Sequence, residues 1–344
     1  MVLRALRANF AVVTVTETRR GSLTLRLAII ALRLLRALRH PHDLVYLGFY
    51  AHPLVPLVRR LTAAPILFDA FVSTYDTLCF DRGVLAPNSP GGRLAFQLDQ
   101  AASASAEGVL LDTRAHAEYF RQTFGLRAPA VHHLYVGCDE ALFYPRPAQP
   151  SDFFTVLFYG TYQPLHGVET IIRAAARLAP ERRIRFRIIG AGAAYRSARA
   201  LGEQLGTDNI EFCDPVPFAQ LPDEIAQADI CLGGPFGSSG KAQRVITGKT
   251  FQFIAMGKPT IVSDSPANRE LLVHARSALM CPPADPQALA ETVRELYTSP
   301  SLRQAIGSGG LELFRTRLAA RHIAGDLAKI IQRVMTNTAQ INPA

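Results

Sequence analysis

Lysine is nearly missing from this chain of 344 residues: four occur, against 33 arginines. Three of the four, Lys241, Lys249 and Lys258, fall within the 18 residues KAQRVITGKTFQFIAMGK. Elsewhere the composition has settled on arginine, so compact ammonium groups gathered beside Arg244 suggest a site where a point charge meets a phosphate oxygen. Other absences narrow the class. The five cysteines form no Cys-x-x-Cys pair and no zinc spacing; they are odd in number, scattered and set in apolar runs, as suits reduced core residues. No apolar run can span a bilayer, since the best, SLTLRLAIIALRLLRALRH, is broken by four arginines. It lies behind the first strand-like segment with no cleavage site after it, which argues against a signal peptide.

The charge is unevenly placed. Of the net +9, residues 1–40 carry eight arginines against one acid, Glu17, which leaves seven of the nine excess charges there. No nucleic-acid reading module accompanies them. The excess points either to contact with an anionic membrane or to ordinary solvated arginines. On a helical wheel Arg26, Arg33, Arg36 and Arg39 share one side, and Leu27, Ile30, Leu34, Leu35 and Leu38 fill most of the other. Such a helix either covers a sheet or lies in a membrane interface.

Strand-like and helix-like segments alternate along the whole chain. NFAVVTV, DLVYLGF, APILFDAF and EGVLLDT read as buried strands, with helices around 23–39, 53–62, 92–106 and 114–124. After the proline-rich YPRPAQPSD the alternation restarts with FTVLFYG, RIRFRIIG, NIEFCDPV, ADICLGG, PTIVSD and SALMCPP. Continuous apolar strands joined by amphipathic helices predict an α/β protein with parallel sheets covered on both faces. The expected layout is two doubly wound, Rossmann-like domains facing a cleft, residues 1–148 and 149–317. A final helix in 318–344 would cross back to the first.

Ligands in such sheets bind beyond the carboxyl ends of the strands. FTVLFYG ends at Gly160, and TYQPLHG leads into a helix, which makes His166 and Gly167 candidates for contact with an anion at a helix start. RIIGAG, with Gly190 and Gly192, resembles half of a dinucleotide fingerprint but lacks its third glycine and its acid, so a strand turn is the better reading, with Gly190 kept among the ligand-side candidates. ADICLGG feeds a loop containing Gly233, Gly234, Gly237 and Gly240, then a helix expected to begin near Gly248. Loop amides with Lys241, Arg244 and Lys249 would make a pyrophosphate cradle.

With these residues placed, the second domain resembles the donor domain of glycosyltransferase family 4, retaining enzymes of the GT-B fold. FYGTYQPLHGVETIIRAA, RIRFRIIGAG, ADICL, KTFQFIAMGKPTIVSD and NRELL carry the resemblance, together with AVHHLYVGCDEALFYPRP at the linker. It covers about residues 109–320. The family's two glutamates, eight apart, are replaced here by Arg244 and Gln252. By that correspondence Gln252 would bond the ribose, and Arg244 would grip the pyrophosphate. The family's lysine before the glycine of the first helix is His166 here.

The first domain departs further from the resemblance, because the expected opening strand and glycine-rich loop have no counterpart in MVLRALRANFAVVTVTE. Its cleft candidates lie at strand ends, Asp69 and Asp76 in FDAFVSTYDT and His116 in LDTRAHAEY, and would act on an acceptor hydroxyl. The resemblance implies a retaining transferase using a nucleotide diphosphate sugar on a glycan or lipid-linked acceptor, cytoplasmic, with peripheral contact to an anionic membrane. No cofactor or metal is expected, since no Asp-x-Asp occurs and fixed cations would carry the leaving charge. A catalytically impaired nucleotide-sugar-binding homologue is the alternative, and a nicotinamide-dependent oxidoreductase resting on RIIGAG a more distant one.

Overall fold

A computed structural model describes residues 2–17, 22–48 and 50–341. The chain divides into two units, Val2–Leu134 with the residues from Ala324 onward, and Tyr135–Ile323. The proline-rich stretch 144–152, read from sequence as the boundary, lies inside the second unit. Arg146 pairs there with Asp223 at 2.6 Å, and the Gln149 N–H donates to Gln227 Oε1 at 3.0 Å. Prolines stop secondary structure, but here they do not detach it.

In the N-terminal unit, β1 (Val45–Leu47), β2 (Ile66–Asp69), β3 (Gly108–Leu111) and β4 (Val131–His133) form one parallel sheet in the order β1-β2-β3-β4. Helices α1 (Val2–Asn9), α2 (Leu23–Ala37), α3 (Val55–Arg59), α4 (Pro90–Ala104) and α5 (Arg114–Phe124) precede or connect the strands. The core gathers Val55, Val58, Ile66, Phe68, Val109 and Phe120, with Leu27 and Ile30 of α2, and Leu38 just after it, packed against it. The last helix of the chain, here α14 (Ala320–Ile341), belongs to this unit from Ala324 onward: Val334 lies against Gly108, where an added Cβ would come within 2.6 Å of it.

NFAVVTV, read as a strand, is not one. Residues 2–9 are helical and 11–17 are irregular, with Val13 85% exposed. β-branched residues form a strand only where a neighbour pairs with them. Here the carbonyls of Thr16 and Glu17 accept instead from the guanidinium groups of Arg33 and Arg26. The same bonds correct the helical-wheel reading of α2. Arg26 and Arg33 are turned to the chain's own backbone, Arg33 also pairing with Glu17 at 3.2 Å, while Arg36 and Arg39 are exposed. Arg19 and Arg20 lie outside the described residues.

The second unit carries β5 (Phe154–Tyr159), β6 (Ile184–Ile189), β7 (Ile210–Cys213), β8 (Ile230–Gly234), β9 (Thr260–Ser263) and β10 (Leu279–Cys281). They form a parallel sheet in the order β10-β9-β8-β5-β6-β7. The order reverses between β5 and β8, and their carboxyl ends are therefore where a crevice opens in such a sheet. Helices α6 (Val168–Arg177), α7 (Tyr195–Gln204), α8 (Leu221–Gln227), α9 (Gly240–Arg244), α10 (Gly248–Ala255), α11 (Pro266–Leu271), α12 (Pro286–Thr298) and α13 (Pro300–Leu313) complete the unit. Strand residues Val156, Phe158, Phe186 and Ile188 are fully buried beneath α6 residues Ile171 and Ile172. All five cysteines are unpaired, and burial is the chief cause of their raised thiol pKa values.

The loop after β2 is held by a carboxylate distant in sequence. Asp99 of α4, fully buried, accepts from Ser73 Oγ at 2.6 Å and from the N–H groups of Thr74 at 3.1 Å and Tyr75 at 2.9 Å. His52 lies 3.6 Å from it, and burial nevertheless keeps this imidazole below its usual pKa. Asp99→Ala strands three donors in the interior and should lower the stability of this unit by about 3 kcal/mol, read by urea unfolding, whereas Asp99→Asn, which still accepts, should lose less.

Candidate functional site

The reversal point of the larger sheet is built by two loops that touch backbone to backbone. One follows β5, running through Gly160 and a tight turn, Pro164–His166, to Gly167; the other follows β8. The Gly237 N–H donates to Leu165 O at 3.0 Å. A Cβ on Gly167, which sits at φ +62°, would come within 2.3 Å of the Phe236 carbonyl carbon, and one on Gly237 within 2.2 Å of Pro164 O. Only glycine allows this approach. The contact fixes His166 opposite the start of α10.

α10 begins where the sequence placed it, at Gly248. Thr247, the residue before it, spends its hydroxyl on Gly233 O at 2.7 Å, so no side chain caps the first turn of the helix. That turn carries Lys249. Its Nζ lies 3.1 Å from His166 Nδ1 and 4.7 Å from the centre of the Phe158 ring, while a Cβ on Gly160 would stand 3.6 Å from it. The side chain is buried, the residue being 6% exposed, and no carboxylate of the described residues pairs with it. Burial alone brings its pKa down to about 7. His166 is held far below the usual imidazole value, first by burial and then by Lys249 and Lys241. The ring is therefore neutral, with one nitrogen able to accept from the ammonium.

The remaining donor-side candidates divide. Lys241, on α9, is buried and close enough to His166 to influence its titration. Arg244 closes α9 and lies over Gly240, whose Cβ would meet Nη1 at 2.9 Å. Gln252, one turn after Lys249, has a buried Oε1 with no hydrogen-bond partner. Gly190 does something else: its N–H donates to Cys213 O at 3.0 Å, and a Cβ there would sit 1.9 Å from Gly160 O. RIIGAG thus packs the β6 turn against the β5 turn. Lys258 is remote from the group, its Nζ donating to Ala226 O at 2.7 Å and Ala228 O at 2.8 Å behind α8. Sequence reasoning missed Asn268, fully buried, whose Nδ2 donates to Ser263 O at 2.8 Å and to Gly234 O at 3.2 Å while its Oδ1 is left without a partner. Its partners come from two other segments, and the local signals were its place at the head of NRELL in the family resemblance and Ser265 capping α11.

The N-terminal unit holds a separate acidic cluster at the carboxyl ends of β2 and β3. Tyr46 Oη donates to Asp69 Oδ2 at 2.5 Å. Burial, with a smaller push from Asp112, raises the Asp69 carboxyl to about 6 against the pull of the tyrosine bond. Asp112 in turn holds His116, with Nδ1 2.7 Å from Oδ1, and His116 Nε2 is buried without a partner. Asp69, Asp112 and His116 thus form one group. Asp76 belongs elsewhere: it opens a π-helical turn, Asp76–Asp81, with its N–H donating to Ser73 Oγ at 2.9 Å, inside the Asp99 network. Tyr46 was not legible as a partner, because 23 residues separate it from Asp69.

The profile of the family described as Glycosyl transferases group 1 matches residues 154–299. The chain is 27% identical over 184 residues to the lipopolysaccharide core biosynthesis glycosyltransferase LpsD of Rhizobium meliloti, covering 54% of this chain and 51% of that protein. It is 25% identical over 243 residues to a D-inositol 3-phosphate glycosyltransferase of Kineococcus radiotolerans, covering 64% and 55%. The chain therefore spans about half the length of these curated relatives. In fold it is similar to Anabaena HepE in complex with UDP and glucose, with a TM-score of 0.72, 19% identity and coverage of 91% and 83%. Sucrose-phosphate synthase from Thermosynechococcus elongatus gives 0.75, 17%, 94% and 81%.

The Asp69 carboxyl yields a prediction. Its folded pKa of about 6 exceeds the unfolded value, so its contribution to stability is present at pH 4 and is lost as pH rises through 6. Asp69→Asn should match the parent at pH 4 and exceed it by about 3 kcal/mol at pH 8, a shift of roughly two pKa units at 1.36 kcal/mol each. Urea unfolding at the two pH values would show it, and equal stabilities at pH 8 would contradict it.

Proposed function

Residues 154–299 belong to the family described as Glycosyl transferases group 1 on a chain of GT-B fold, and from that premise we propose that the protein transfers a sugar from a nucleotide diphosphate sugar to a glycan or lipid-linked acceptor. One observation carries the reading. At the strand-order reversal a buried lysine, Lys249, stands at an uncapped helix start with a neutral histidine and no carboxylate, which is the complement of a diphosphate. HepE, alike in fold, was crystallised with UDP and with UDP-glucose, which supports a donor of that class.

The chemistry follows from the charges. As the glycosidic bond to the diphosphate breaks, negative charge collects on the departing phosphate. Lys249, Lys241 and the first amides of α10 meet it in a desolvated site, where a fixed cation is worth more than in water. Arg244 adds a fourth positive source from α9. These groups supply what a divalent ion supplies in other transferases, so the reading is metal-independent; retention of configuration is taken from the family resemblance. Gln252 bonds the ribose through its unpartnered Oε1. In the N-terminal unit, Asp69 and the Asp112–His116 pair are assigned to the acceptor hydroxyl. A binding-only homologue is favoured by Gln252 and Arg244 standing where the resembling family has glutamates; such a protein would bind the donor and release no free nucleotide.

Peripheral membrane contact is part of the proposal. Leu25 and Leu32 are 59% and 63% exposed on α2, on the same surface as the exposed Arg36 and Arg39, so apolar and cationic groups are presented together. Among the described residues no helix is long and apolar enough to cross a membrane. Arg36→Glu with Arg39→Glu should abolish salt-sensitive sedimentation with anionic vesicles, each charge adding about 1 kcal/mol near such a surface. Equal sedimentation of the parent with neutral vesicles would remove this part.

Calorimetry tests the donor site. With the best-bound of UDP, GDP and ADP, Lys249→Ala and Arg244→Ala should each weaken binding about ten- to a hundredfold, the loss of one charge-assisted bond of roughly 1.5 to 3 kcal/mol. Lys258→Ala, which touches only the end of α8, should leave affinity unchanged. Parent-like affinity in both Lys249→Ala and Arg244→Ala would move the phosphate site elsewhere.

A further inference from the structure

A buried ammonium in a folded protein normally has a carboxylate beside it, because the desolvation of the charge is otherwise uncompensated. Lys249 has none. Its hydrogen-bond partner is a nitrogen of His166, which can only accept a proton weakly, and its other neighbour is the face of Phe158. The charged and titratable groups around it are cationic or neutral: His166 from the turn before α6 and Lys241 from α9, both of the wrong sign or none. Strand β5 contributes Phe158 and the phenol of Tyr159, which packs on Phe253 of α10 and which burial keeps neutral, with Gly160 just beyond the strand; α10 itself bears no other ionisable side chain. Also packed on α10 are β8, whose Cys231 thiol burial keeps protonated, the Cys138 thiol, which donates to Phe251 O and is likewise kept protonated by burial, the uncharged β9, and α13 with the 314–318 turn, whose Arg303, Glu312, Arg315 and Arg317 have no part in setting the protonation of Lys249.

We infer that donor binding is coupled to proton uptake at Lys249: the empty pocket offers its ammonium no anion, and the entering diphosphate supplies the one that holds it charged. The inference rests on the donor reading above. The balance is one proton from solvent added to the Nζ lone pair as the diphosphate enters, and one returned when the nucleotide leaves. His166 does not compete for that proton, since it is buried and would carry charge beside Lys249 and Lys241. Its role is to hold the amine in place by accepting a hydrogen bond. The consequence is a transferase whose donor affinity is tuned within the physiological pH range by its own fold, without any titrating group on the donor, because both phosphates of a diphosphate diester are already ionised.

The test uses the full chain and UDP-glucose, GDP-mannose and ADP-glucose, taking the one that binds best. With empty-site titration near pH 7, affinity should be flat from pH 6.0 to 6.5 and fall about tenfold between pH 7.5 and 8.5. At pH 8.5 the binding heats in Bicine and in Tris, neither of which is a phosphate, should differ by the difference between the two buffers' ionisation heats for about one proton. Lys249→Met, of similar shape and without a charge to desolvate, should fold, as thermal melting will show, and bind weakly with no dependence on pH over this range. Lys249→Arg, which cannot lose its proton, should also lose the pH dependence. Parent affinity that is level across pH 6.0–8.5 with equal heats in both buffers overturns the inference and leaves the donor site standing; so does a pH dependence that persists in Lys249→Met. If none of the three donors binds the parent, the donor reading falls and takes the inference with it.

Discussion

The contact on which the larger unit depends is the one between the two loops that leave β5 and β8. Backbone meets backbone there at Gly167 and Phe236, and again at Gly237 and Pro164, with a third such approach between Gly190 and Gly160. None of the three tolerates a side chain. Because the loops are pressed together by main-chain atoms, His166 and the start of α10 are placed by the rigid part of the fold rather than by flexible side chains. A site assembled this way pays little reorganisation when an anion arrives.

What that contact encloses is electrostatically incomplete. Lys249 is desolvated beside a neutral imidazole, Gln252 and Asn268 each leave a buried oxygen without a partner, and the start of α10 is uncapped. In the N-terminal unit the imbalance has the opposite sign: Asp69 is buried against Asp112, and its ionised form is costly. Groups held in an unfavourable state are a recognised signature of functional sites, since packing alone would remove them. The two units thus carry complementary kinds of strain, a cation lacking an anion in one and a carboxyl resisting ionisation in the other.

Much of the fold was legible. The six strands of the second unit follow apolar runs bounded by turn residues, and α10 starts at the glycine that the loop pattern indicated. The failures have physical causes. NFAVVTV has the composition of a strand, yet pairing is a property of the neighbour, and Arg26 and Arg33 take the carbonyls of residues 16 and 17 instead. RIIGAG reads first as a strand turn, with Gly190 kept as a ligand-side candidate because glycine at a strand end serves both a ligand and a crowded turn; the 1.9 Å approach to Gly160 O accounts for that glycine by the turn. Asp76 and Asp69 sit seven residues apart and read alike, but only Asp69 points to the Asp112–His116 pair.

The sequence by itself determined the class, the alternation of parallel strands and helices, the second unit's resemblance and the unusual concentration of lysine. Each is written in local pattern, in period and composition, and needs no partner to be read. The sequence had already set Lys249 and His166 on the donor side and left Lys258 out; only the tertiary structure decided that Lys249 is buried within hydrogen-bond distance of His166. Side-chain partners are set by where strands return in the sheet: α10 begins at the reversal point, and Lys258 enters β9 at the opposite end. Burial without a counter-charge is likewise invisible in one dimension, because it is the sum of what several distant segments fail to supply.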